Sequence, residues 1–176
     1  MMKESNNAKV FLICGKICSG KTTYTKKLIQ AEKAVNLSVD EITLSLFGSH
    51  CGDMHDTYCQ RTKNFLFNKS LEIVQNGINV ILDWGFWSKK DREFAKTFYA
   101  ENGIQTELHY IEITDEQWYQ NIKKRNARLI LEEPKKDDNG FYVPSDYYID
   151  ENLAKKISGL FEEPEQNEID ICVKQM

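Results

Sequence analysis

Eight residues near the start of the chain have the types and spacing to hold a polyphosphate. Gly15-Lys16-Ile17-Cys18-Ser19-Gly20-Lys21-Thr22 reads G-x-x-x-x-G-K-[ST], with Thr23 next. Gly15 and Gly20 let the backbone bend close to a ligand, so that its N–H groups cradle phosphate oxygens. A helix starting here adds the partial positive charge of its N-terminus. Lys21 reaches the outer phosphates, and Thr22 offers a hydroxyl to Mg²⁺. Residues 15–23 are thus the expected nucleotide contacts.

Two acidic residues follow apolar runs. Asn79-Val80-Ile81-Leu82 ends in Asp83. In open α/β sheets the carboxyl ends of the strands face the crevice where ligands bind. An Asp there helps hold Mg²⁺, directly or through water, and with Thr22 it makes the expected metal site. A capping or turn residue is the plainer alternative. Trp84-Gly85-Phe86-Trp87 follows, without a second carboxylate to activate water. That favours transfer to a substrate over hydrolysis. Asp40 follows Val35-Asn36-Leu37-Ser38 and faces the same crevice. A carboxylate there can orient and deprotonate an acceptor hydroxyl. Two readings compete: Asp40 as the N-cap of a short helix over 41–47, and its neighbour Glu41 as the base.

Arg125 lies on one helical face with Trp118, Ile122 and Leu129 by i, i+3, i+4 spacing. An arginine on an apolar face points toward packing or a ligand and rarely stays unpaired. Just before a charged loop, it can clamp a triphosphate and steady developing charge; Arg128 can assist. A structural salt bridge is the alternative for both. Lys63, Arg61 and Arg92 are weaker candidates. His50-Cys51-Gly52-Asp53-Met54-His55 has metal-ligand types, but its crowded spacing matches no common site. The region reads better as a substrate-side loop.

The elements that must position these groups alternate. Strands are expected at Val10–Cys14, Ala34–Ser38, Asn79–Asp83, Glu107–Ile113 and Ile169–Val173. Helices are expected at Lys21–Glu32, Asp53–Gln75, Ser88–Glu101, Asp115–Leu129 and Ser145–Ile157. This pattern predicts an α/β fold with a parallel sheet covered on both faces. Ser88 can cap its helix, and Asn102-Gly103 ends it. Between Glu132 and Val143 a charged stretch with Pro134 and Gly140 reads as a lid over bound phosphates, within a lid region of about 130–144. The polar start, residues 1–8, reads as a flexible arm. The rest, 9–176, reads as one domain.

The chain has 176 residues, a formal net charge of −4 and 41% hydrophobic residues. Its length suffices for a real core. The acidic balance argues against a broad nucleic-acid surface but permits a small basic groove. No apolar stretch approaches a membrane span. The five cysteines match neither a zinc ribbon nor a C-x-x-C pair, as expected of reduced thiols in a cytoplasmic protein. No Asn-Lys-x-Asp guanine motif occurs.

The chain resembles the P-loop kinase group that includes polynucleotide kinase, chloramphenicol phosphotransferase and zeta-toxin-like kinases. Within it, the chain is most similar to bacterial AAA-type ATP-binding proteins. The likeness rests on Gly15–Thr22, on Asp40 after the second strand, and on the run from Val80 to Ser88 with its specific Asp-Trp-Gly-Phe-Trp. It continues with Arg92, Leu108-His109-Tyr110, Arg125-Asn126, Phe161-Glu162-Glu163-Pro164 and Glu168. The resemblance implies a three-layer P-loop NTPase/kinase fold with a five-stranded parallel sheet in the order 2-3-1-4-5. It implies Asp40 as general base, Arg125 as the lid arginine, and the segment from Phe161 to Glu168 near the adenine. One departure stands out. Polynucleotide kinases carry an arginine three residues after the base, which contacts the acceptor's phosphate; here that residue is Thr43. The expectation is an ATP- and Mg²⁺-dependent kinase with catalytic residues Asp40, Lys21 and Arg125. It acts on a hydroxyl of a small molecule or nucleotide-like acceptor, lying between Asp40, the stretch 51–61 and Trp84–Trp87. A nucleic-acid 5′-end kinase and a nucleotide-binding switch without transfer are the alternatives.

Overall fold

The computed structural model describes residues 7–48, 52–132, 136 and 146–175. Most of the expected lid and the pair His50-Cys51 lie outside these residues. The elements run β1 (Val10–Cys14), α1 (Lys21–Glu32), β2 (Val35–Leu37), α2 (Val39–Phe47), α3 (His55–Gln75), β3 (Val80–Gly85), α4 (Lys89–Glu101), β4 (Thr106–Glu112), α5 (Asp115–Leu131), α6 (Glu151–Leu160) and β5 (Ile171–Lys174). The strands form one five-stranded sheet, β2-β3-β1-β4-β5, and every pairing is parallel.

The sheet is parallel because its centre is apolar on both sides. Every residue of β1 is at most 1% exposed. Alternate side chains serve opposite layers. Val10, Leu12 and Cys14 meet Leu82, Leu108 and Tyr110, under Val74 of α3 and Ala95 and Tyr99 of α4. Phe11 and Ile13 meet Ile81 and Ile111 on the other face, under Leu28 of α1. Neighbours of β1 are β3 and β4, so the strand order reverses around its carboxyl end. Open sheets form their ligand crevice at such a point. A smaller third core joins Trp118 and Ile122 of α5 to Ile149 and Ala154, with Ile17, Cys18 and Ile113 packed against it. It ties the phosphate loop to α5 and α6.

Some boundaries differ from expectation for definite reasons. The helix placed at Ser145–Ile157 is α6, which starts only at Glu151. Asp150 caps it by accepting from the Leu153 N–H at 2.7 Å. Ser145 lies outside the described residues, and 146–150 are not helical: Asn126 clamps Ile149, its Nδ2 donating to the Ile149 carbonyl and its Oδ1 accepting from the Ile149 N–H. Strand β3 runs past Asp83 to Gly85, whose carbonyl accepts from the Gly15 N–H at 3.1 Å. The helix expected from Asp53 opens with a 3-10 turn, Gly52–Met54, before α3. Helix α2 begins at Val39, and its cap is Ser38, which accepts from the Glu41 N–H at 3.2 Å. Asp40 is therefore not the N-cap. No helix among the described residues is long and apolar enough to cross a membrane.

Candidate active site

The phosphate loop is gripped from both sides. Gly15 has φ 154°, and a Cβ on it would lie 2.8 Å from Ser19 Oγ and 2.9 Å from the Ile111 carbonyl oxygen. No other residue fits there without a shift. Cys18 and Gly20 take left-handed conformations, φ 59° and 90°. Such turns present successive N–H groups to one side. Trp118 Nε1 donates to the Ile17 carbonyl at 2.7 Å, and Asn121 Nδ2 to the Cys18 carbonyl at 2.9 Å. These carbonyls are thus taken up on the α5 side, which leaves the inner rim of the loop to its donors. The Lys16 side chain is also held on that side. It pairs with Asp115 at 2.7 Å and lies over the Trp118 ring, so its expected phosphate contact falls to its backbone.

Lys21 opens α1 and turns back across the loop. Its Nζ donates to the Gly15 carbonyl at 3.0 Å and the Lys16 carbonyl at 2.7 Å. Burial lowers its pKa, while Asp83 and Asp40 oppose that shift and Arg125 adds to it. The four expected charged groups therefore act on one another in one crevice. Thr22 and Thr23 are exposed on the first turn of α1. Ser19 Oγ is buried with no hydrogen-bond partner. A tight loop, an unpaired hydroxyl and a half-buried ammonium together fit a phosphate chain.

Asp83 is half-buried on β3. Burial raises its pKa, with Lys21 pulling it down and Asp40 pushing it up. The buried Thr25 hydroxyl lacks a hydrogen bond of good geometry, yet lies close enough to Asp83 to favour its charged form. Among the described residues no three His, Cys, Asp or Glu side chains converge as a metal cage.

Asp40 is exposed on the first turn of α2, but the surrounding protein strips part of its hydration. This burial raises its pKa; Lys21, Arg125 and His55 pull it down, and Asp146 pushes it up. A raised carboxylate is the better proton acceptor. Its neighbour Glu41 is exposed on the helix N-terminus. Thr43 is fully buried, and its hydroxyl donates to the Val39 and Asp40 carbonyls. It therefore has no spare donor for an acceptor's phosphate.

Arg125 is half-buried and pairs with Asp146 at 3.1 Å. Arg128 pairs with the other oxygen of the same carboxylate. Both arginines are thus at the crevice and both are engaged. Asp146 and His55 belong to this cluster; His55 falls in the stretch read as the substrate side, while Asp146 had no expected role. Lys63 is half-buried and Arg61 exposed, about two turns further along α3 than His55. Arg92 is not a ligand group. It is 1% exposed and donates to both oxygens of Glu168, at 2.8 and 3.1 Å, and to the Phe86 and Glu162 carbonyls. It fastens the segment from Phe161 to Glu168 to the Trp84–Trp87 turn. That segment touches a cavity of about 290 Å³ beside Lys16 through Glu163; Tyr110, Glu112 and Asp115 line the same cavity. Burial pushes the Cys14 thiol up to about 12 and also raises Cys18, so neither is a ready thiolate.

The raised carboxylate of Asp83 carries a stability consequence. A carboxyl whose folded pKa exceeds its unfolded one opposes folding above the folded value, and the penalty fades as pH falls through it. Asp83→Asn is therefore expected to raise the melting temperature of the nucleotide-free protein at neutral pH by roughly 2 °C. The gain should shrink on acidification. Scanning calorimetry at two pH values checks this, and a lower melting temperature at neutral pH would show that Asp83 supports the fold.

A family profile described as an AAA domain matches residues 10–136. No curated protein matches the chain. Among solved structures, it is similar to Kti12 of Chaetomium thermophilum in complex with ADP-AlF3, at 14% identity and TM-score 0.65, over 94% of this chain and 88% of that one. It is also similar to the APS kinase CysC of Mycobacterium tuberculosis in complex with AMPPNP and APS, at 14% identity and TM-score 0.58, over 96% and 88%. A chain of the Pnkp1/Rnl/Hen1 RNA repair complex matches at 18% identity and TM-score 0.64, over 90% of this chain and 45% of that one. At these identities the structural likeness speaks for the fold, the five-stranded parallel P-loop architecture expected above. With the profile covering well over half of its length, the chain belongs to the AAA domain family.

Proposed function

We propose that the protein is an ATP- and Mg²⁺-dependent kinase that moves the γ-phosphoryl group to a hydroxyl of a small-molecule or nucleotide-like acceptor. The observation that carries this is the meeting of Lys21, Asp83, Asp40 and Arg125 as interacting charges beside the phosphate loop. Gly15 to Thr23 would hold the phosphates, and Thr22 with Asp83 would hold Mg²⁺. When bound, the cation supplies positive charge that neutralises the phosphates in transfer. Lys21 lies at the loop where the outer phosphates belong. Arg125, with Arg128, would steady charge on the departing group. Asp40 would orient the acceptor hydroxyl and take its proton. In the balance, the bond between the γ-phosphorus and the bridging oxygen breaks, the acceptor oxygen bonds to that phosphorus, and ADP leaves.

A nucleic-acid 5′-end kinase is the second reading, favoured by the likeness to the RNA repair complex. The buried, hydrogen-bonded Thr43 and the net charge of −4 weigh against it. A charged lid over about 130–144 and a single domain over 9–176 remain part of the proposal, as does a cytoplasmic setting.

Lys21→Ala tests the phosphate site. Charge-assisted hydrogen bonds are worth about 1.5–3 kcal/mol, so the affinity for AMPPNP with Mg²⁺ should weaken by roughly tenfold or more. Calorimetric titration measures it, and an unchanged dissociation constant would remove Lys21 from the site.

A further inference from the structure

Both arginines assigned to the triphosphate already hold an anion. Asp146 pairs with Arg125 at 3.1 Å through one oxygen and with Arg128 through the other. A carboxylate spanning two guanidinium groups has the charge and spacing of a phosphate edge. Asp146 also acts on Asp40 and on Cys18 of the phosphate loop, which places it within the crevice rather than outside it. It is half-buried, and its partners are 21% and 46% exposed, so these pairs are exchangeable contacts rather than a sealed core bridge.

The chain that follows Asp146 is firmly held. Three residues on, Ile149 is packed in the third core and clamped by Asn126 at both its backbone N–H and carbonyl. Asp150 then caps α6. Between the clamp and Asp146 sits Tyr147. Its ring meets His55 edge-on at 5.4 Å, and its hydroxyl lies 3.5 Å from Thr43 Oγ1. His55 and Thr43 flank Asp40, from α3 and α2. Residues 146–150 therefore form a strap with a fixed end at Ile149 and a charged end on the arginines. Its middle leans on the acceptor side.

We propose that Asp146 is a built-in counter-anion that the triphosphate displaces from Arg125 and Arg128. The displaced strap carries Tyr147 with it, so nucleotide binding alters the wall of the acceptor site next to Asp40. This inference rests on the kinase reading and deepens it, since it names how that site is regulated. The opposite role, in which Asp146 holds the arginines ready for phosphate, predicts the opposite sign.

The test is titration of AMPPNP with Mg²⁺, and separately of AMP, into the wild-type protein and Asp146→Asn. Removing a carboxylate that competes for two partly exposed arginines should tighten AMPPNP by about three- to tenfold and leave AMP within about twofold. In the background of Arg125→Gln with Arg128→Gln, Asp146→Asn should no longer tighten AMPPNP. Thermal melting reports whether each variant is folded, and Asp146→Ala repeats the measurement if the Asn variant is not. Unchanged or weaker AMPPNP binding in a folded variant overturns the inference while the kinase reading stands. If AMPPNP binds neither protein, the kinase reading fails and this inference with it.

Discussion

Asp40→Asn is expected to slow phosphoryl transfer by roughly 100- to 10,000-fold, the usual worth of a positioned general base, and to leave nucleotide affinity nearly intact. Asn keeps the size of the side chain and loses the proton acceptor. The competing explanation for a carboxylate at this position, a helix cap, is removed by geometry: Ser38 caps α2, and Asp40 lies in its first turn. The capping role would in any case have tolerated Asn. The wild-type rate should also fall on acidification. Burial raises the pKa of Asp40, so the loss should begin above the ordinary carboxylate range, as the base becomes protonated. Single-turnover transfer with the wild type and the Asn variant, over a pH series, measures both effects. A near wild-type rate in Asp40→Asn would pass the role to Glu41 or Asp83.

Arg92→Ala should bring the largest loss of stability, about 3–5 kcal/mol, because breaking a buried ion pair strands the remaining charge. The guanidinium is 1% exposed and answers Glu168 and two carbonyls at once. Glu168 is itself tied into the turn before β5, where it accepts from the Glu165 N–H at 2.8 Å. Losing Arg92 therefore loosens the segment from Phe161 to Glu168 and the Trp84–Trp87 turn together. Lys89→Ala is the control. Its pair with Glu165 lies in solvent, and its removal should leave the unfolding midpoint almost unchanged. Urea unfolding of the three proteins decides, and equal midpoints for all would mean that Arg92 is not the anchor.

The phosphate loop and its flanks were legible because the chemistry is local. Gly15, Gly20, Lys21 and Thr22 are fixed by spacing, and α1 begins and ends where the pattern placed it. Strand β1 was legible for another reason: a run of five apolar residues, too short for a helix and closed by Gly15, fits a strand buried on both faces. The sheet order came from resemblance and was not written in the periodicity. Arg92 shows the limit of spacing arguments. A cation near the start of a helix at the crevice end of a strand reads as a ligand group, but its partners Glu162 and Glu168 lie 70 and 76 residues away. The helix expected over 145–157 is shortened to Glu151 onward, with 146–150 non-helical among the described residues, for the same kind of reason. Its propensity was overruled by Asn126, which takes both backbone bonds of Ile149 from the neighbouring helix. Asp146 carried no sequence signal at all, since nothing in its surroundings marks it as the partner of two arginines on α5.

Transfer to a hydroxyl is followed through the label of γ-labelled ATP in the presence of Mg²⁺. Nucleosides, sugars, antibiotics and oligonucleotide 5′ ends serve as acceptors. Label should move from ATP to a small-molecule or nucleotide-like hydroxyl in the wild type, and this movement should be lost in Asp40→Asn. Label appearing only as inorganic phosphate, at the same rate in both proteins whatever the acceptor, would contradict it.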